Sequence, residues 1–117
     1  TYRTHGAGIM DINAYQAAAK ETAIYPKDTG ILYTTLGLNG EAGEVADKVK
    51  KIIRDHGGEM DDAARESIMM ELGDVLWYIA NLATELGYSL RDIAGANIQK
   101  LQDRQQRNRL HGSGDSR

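Results

Sequence analysis

Hydrophobic positions recur at three- and four-residue spacing through most of the chain, and strand-type alternation is never sustained, so the pattern predicts an all-α fold. A first helix is expected over about 11–24, with Asp11 as its N-cap, and Tyr25-Pro26-Lys27-Asp28-Thr29-Gly30 as a connector. The second helix should run over about 31–55 and stop at His56-Gly57-Gly58. The third should begin at 61 or 62 and end at 85 or 86, before Gly87. Ser89 and Asp92 have capping-box spacing and open a fourth helix that reaches about 107, giving a four-helix bundle-like core.

The helical phase of the two central helices carries more than packing. Leu38, Val45, Val49, Ile52 and Ile53 form one apolar arc on the second helix, and Ile68, Leu72, Val75, Ile79, Leu82 and Leu86 form another on the third. Beside each arc stands a short internal repeat, Glu41-Ala42-Gly43-Glu44-Val45 and Glu71-Leu72-Gly73-Asp74-Val75, offset by 30 residues. At about 100° per residue, the two acids of each copy share one stripe of their helix. Packing the arcs together should bring Glu41, Glu44, Glu71 and Asp74 to a common edge, where their repulsion calls for a cation. Gly37, Gly40, Gly43 and Gly73 lie inside these helices at a cost of roughly 0.8–1 kcal/mol each relative to Ala, so either a close neighbour or a break near 37–40 is expected.

Length and composition narrow the setting. A chain of 117 residues fits one domain, assigned to 11–107, and is small enough to gain from a homo-oligomer, dimer or tetramer. The absence of cysteine excludes thiolate zinc sites and iron–sulfur clusters and agrees with a reducing cytoplasm. No apolar run reaches the roughly 20 residues of a membrane span, and no export signal is evident, so a cytoplasmic location is expected. A net charge of −3 gives no general attraction to nucleic acid, although Arg104, Arg107, Arg109 and Arg117 collect near the C-terminus. Residues 1–10 read as an N-terminal extension or an expression remnant, and 108–117 as a flexible, glycine-containing tail that could close over a ligand.

Four oxygen donors without His or Cys suit Mg²⁺, with Mn²⁺ also possible, and such ions share their coordination with substrate phosphates. A di-iron carboxylate bundle is excluded, since no His stands three residues after a Glu. Two other readings stay open on the residues alone. The acids could be solvated faces paired with Lys48 and Lys51, and the chain could be a helical, antitoxin-like module that binds partners without catalysis.

Glu41-x-x-Glu44 followed by Glu71-x-x-Asp74 resembles the signature of the all-α MazG-type nucleoside triphosphate pyrophosphohydrolases. The similarity extends through 71–83 and through Asn97-x-x-Lys100-x-x-x-Arg104, covering about 12–104, and it looks most like the compact phage and bacterial members. The resemblance implies Mg²⁺-dependent hydrolysis of (deoxy)nucleoside triphosphates to a monophosphate and pyrophosphate, a housecleaning activity, with Glu41, Glu44, Glu71 and Asp74 as metal ligands and catalytic groups. It further implies phosphate binding by Lys100 and Arg104, which share a helix face with Asn97. Lys48 is also expected at the substrate. Tyr78, Asn81 and Glu85 continue the stripe of Glu71 and Asp74 along the same cleft, with Tyr78 placed to stack on a base, whereas Trp77 is expected at a subunit interface. Many members carry a second Glu directly before the first motif acid; Gly40 stands there, which leaves the general base unassigned.

Overall fold

The computed structural model describes residues 10–107, so the expected N-terminal extension (bar Met10) and C-terminal tail, with Arg109 and Arg117, lie outside the described residues. Four α-helices, α1 (Ile12–Glu21), α2 (Gly30–His56), α3 (Asp62–Leu86) and α4 (Leu90–Gln106), and one 3₁₀ turn (Lys27–Thr29) make up the fold. No strand occurs among the described residues, and no helix there is long and apolar enough to cross a membrane.

Short-range chemistry sets the helix ends. The carboxylate oxygens of Asp11 and Asp61 accept from the N–H groups of Ala14 and Ala64 at 2.7 and 2.8 Å, and the Ser89 hydroxyl accepts from that of Asp92 at 3.0 Å. Gly57 and Gly87 end α2 and α3 in the left-handed region, at φ 61° and 83°, where a side chain would be strained.

The first helix stops at Glu21, earlier than expected. Beyond it Ala23 and Tyr25 are buried, and Pro26 disfavours helical geometry at the residue before it. The chain therefore leaves the helix to bring Tyr25 inward, where its hydroxyl donates to Glu85 Oε2 at 2.8 Å. The second helix runs through 37–40 without a break. Gly37 permits the close approach of the Tyr78 ring, which a Cβ there would strike, whereas Gly40, Gly43 and Gly73 face open space.

The α2 and α3 helices pair along their length, α1 lies against α3, and α4 packs on α1. A small core of Ala19, Ala80, Ala83 and Leu90, backed by Tyr15, Trp77 and Ile79, joins α1, α3 and the start of α4. Small residues there let the helices approach closely. The apolar arcs are only partly used: Leu38, Val45, Val49 and Ile52 are covered or half-covered, but Ile53, Leu72 and Leu86 are exposed. Each arc is wider than one neighbouring helix can cover.

Candidate metal and phosphate site

Pairing α2 with α3 puts Glu41 opposite Glu71 and Asp74. Carboxylate oxygens of these three residues lie within 4.8 Å of one another. The fourth expected member, Glu44, is exposed and stands outside this trio, although its charge still helps to raise the Glu41 carboxyl.

The trio is electrostatically loaded. Burial pushes the Glu41 carboxyl up from its ordinary value, and the neighbouring Glu71 and Asp74 push it in the same direction. Among the described residues Glu71 Oε2 is buried and has no hydrogen-bond partner, an arrangement that costs free energy unless a cation or donor occupies the position. Glu71 Oε1 faces Lys48 Nζ at 3.3 Å. Converging hard oxygen donors, one of them orphaned and buried, fit a divalent cation such as Mg²⁺ or Mn²⁺.

Lys48 does not pair with Glu44, the motif acid one turn before it, and Lys51, two turns beyond Glu44, pairs with neither motif acid of its helix. Lys48 crosses to α3, bonding Glu71 and the Ser67 hydroxyl, and Lys51 is held by Asp47 at 2.7 Å. Of the motif acids, Glu71 is therefore held by an interhelical ion pair, while Glu44 and Asp74 are exposed. Two tyrosines that the sequence reading missed also belong here. Burial, then the Asp74 charge, raises the Tyr15 phenol on α1, and the Tyr78 phenol is raised by burial and by the neighbouring Tyr33, Glu41 and Asp74. Tyr15 was legible as the large member of the Tyr15, Ala19, Ala23 stripe at four-residue spacing.

The stripe beyond Asp74 does not stay in an open cleft. Asn81 is 1% exposed, because α1 covers it; its amide donates to the carbonyls of Ala19 and Trp77 at 3.3 and 3.2 Å. Glu85 is engaged by Tyr25 and presses on Gly30, where a Cβ would strike its carboxylate. The Tyr78 ring is wedged against Gly37 of α2 and meets Trp77, its neighbour on α3, edge to face at 4.9 Å. Trp77 is half-buried and already engaged within the chain. Its indole N–H donates to Thr22 Oγ1 at 2.8 Å, and its ring also meets Tyr25 edge to face.

On α4, Asn97 and Lys100 line a cleft of about 590 Å³ with Tyr88, Asp92, Ile93 and Ala96. Arg104, expected on the same face, is 3% exposed, so it is not a solvated helix end. The main packing of α4 is on α1, and its first residue, Leu90, reaches the α3 core.

Comparison with known proteins agrees with this architecture. Gene 37 protein of Mycobacterium phage L5 is 46% identical over 114 residues, which span 92% of this chain and 100% of that protein. No solved structure matches. The MazG nucleotide pyrophosphohydrolase domain matches residues 30–108, a span that contains α2, α3 and α4 with all four motif acids, and the chain therefore belongs to the MazG nucleotide pyrophosphohydrolase family.

Proposed function

We propose that the protein is a Mg²⁺-dependent nucleoside triphosphate pyrophosphohydrolase that clears surplus or aberrant (deoxy)nucleoside triphosphates. The observation that carries this reading is the convergence of Glu41, Glu71 and Asp74 around a buried, unpartnered carboxylate oxygen, in a chain of this family. These three residues would hold the ion. When bound, it supplies charge neutralisation on the phosphates and lowers the pKa of water.

The remaining roles belong to the chain's own side chains. Water attacks the α-phosphorus, the bond from that phosphorus to the oxygen bridging to the β-phosphate breaks, and pyrophosphate leaves with that oxygen. Glu44, beside the trio and exposed, accepts the proton of the attacking water. This departs from a four-ligand metal set. Lys48, with Asn97 and Lys100 on α4, supplies cationic and amide donors for the phosphates, and Tyr78, whose phenol feels the charges of Glu41 and Asp74, serves the nucleoside. Uncovered apolar faces favour a homo-oligomer, and the nucleotide substrate favours a cytoplasmic setting.

The test is product analysis. Incubation with a panel of triphosphates and Mg²⁺ should release monophosphate and pyrophosphate in equal amounts, and chelation should stop the reaction. Orthophosphate with a diphosphate as the products would sink the proposal.

A further inference from the structure

Lys48 bypasses the acid one turn before it on its own helix, Glu44, and bonds instead to the neighbouring helix. Its ammonium nitrogen lies 3.3 Å from Glu71 Oε1, 2.7 Å from the Ser67 hydroxyl and 3.4 Å from the Ser67 carbonyl. Both charged side chains are partly buried. The adjacent cations are used elsewhere, Lys50 and Lys51 by Asp47 at 3.1 and 2.7 Å, and Arg54 by Asp55 at 2.7 Å. Three carboxylates within 4.8 Å make the trio the strongest nearby concentration of negative charge, which accounts for where Lys48 points.

We infer that Lys48 is the built-in counter-cation of the metal-free site, a positioning residue that a divalent ion must displace from Glu71, with Ser67 anchoring the ammonium at the rim. This rests on the reading of the trio as the metal site. The ion and the ammonium compete for the same carboxylate, and as like charges they oppose each other's presence. Lys48 thus lowers the affinity for the ion while relieving repulsion in its absence. An anionic phosphate tail reverses the relation. Once displaced from Glu71, the ammonium has an anion to meet, so ion and triphosphate each favour the binding of the other.

Calorimetric titration of Mg²⁺ into wild type, K48Q, K48R, K51Q and S67A, with melting curves in chelator and in saturating Mg²⁺, tests this. K48Q should bind Mg²⁺ about fivefold more tightly, the scale set by loss of one modest ion pair. Its metal-free form should melt below wild type, and the deficit should close when Mg²⁺ is saturating. K48R should restore wild-type affinity, and S67A should tighten binding less than K48Q. K51Q removes a charge one turn away without releasing Glu71 and should stay within about twofold of wild type. Equal tightening by K51Q and K48Q, unchanged or weaker binding by K48Q, or a melting deficit that persists in Mg²⁺ would overturn the role of Lys48 alone. A wild type that takes up no divalent ion would overturn the metal reading as well.

Discussion

At the residue scale, the site depends on which acids can share one ion and which glycines permit the approach that brings them together. Glu41, Glu71 and Asp74 hold oxygens within 4.8 Å, so each of E41Q, E71Q and D74N should abolish Mg²⁺-induced stabilisation, expected in wild type at about 2.7 kcal/mol when Mg²⁺ is a hundredfold above its Kd. E44Q should keep that stabilisation and lose turnover, as a proton acceptor outside the ligand set would. Melting curves paired with pyrophosphate release separate the two classes, and an E44Q variant that loses the Mg²⁺ response would return Glu44 to the ligands. The close approach itself is tested at Gly37. Its Cα lies under the Tyr78 ring, so G37A should cost about 1–3 kcal/mol in denaturant unfolding through overpacking. A neutral result would mean that the ring moves away without penalty.

At the element scale, the junction between α1 and α2 is held from α3. Tyr25 lies 60 residues before Glu85 in sequence, stacks on Tyr33 at 5.1 Å, takes Lys27 Nζ at 4.0 Å over its ring, and donates to Glu85 at 2.8 Å. Burial, with the hydrogen bond and charge of Glu85, pushes its phenol up to about 12 from an ordinary 10.0. The folded state thus holds this proton more tightly than the unfolded chain does. The resulting stability is fully present below pH 10 and is lost as pH rises through about 12. Denaturant titrations should show Y25F less stable than wild type by about 1–2 kcal/mol at neutral pH, with the gap shrinking above pH 10. A gap that stays constant up to pH 12 would contradict this account. The same junction shows what sequence could and could not reveal. The caps at Asp11, Asp61 and Ser89 were legible because each bond spans three residues, whereas the early end of α1 was not, because it depends on a partner far along the chain. Likewise, the repeat and helical phase marked Glu41, Glu71 and Asp74. The exclusion of Glu44, the turn of Lys48 toward Glu71 and the burial of Asn81 depend on how α1, α2 and α3 are rotated against one another, which no local pattern encodes.

At the scale of the whole molecule, the described helices leave apolar surface that no other described residue covers. Leu32 and Leu36 are 60% and 64% exposed on α2, and Met70 and Leu72 are 62% and 53% exposed on α3. At about 100° per residue, Leu32, Leu36 and Gly43 fall on the strip of α2 opposite Glu41, away from α3. Gly43 has open space around its Cα, so nothing among the described residues offsets its helix cost. A second copy laid along this strip would do so, by approaching the backbone where the side chain is missing and covering the leucines. In sedimentation, wild type should run heavier than the 12.9 kDa chain, and L36E should shift it toward that mass by placing charge in the contact. G43A separates assembly from helix propensity. In a lone chain it should raise stability by up to about 1 kcal/mol, whereas at a close helix contact the added methyl should weaken association despite the better propensity. Wild type sedimenting at 12.9 kDa, together with a stabilised G43A, would show that this strip faces solvent and that the oligomer, if one forms, uses another face.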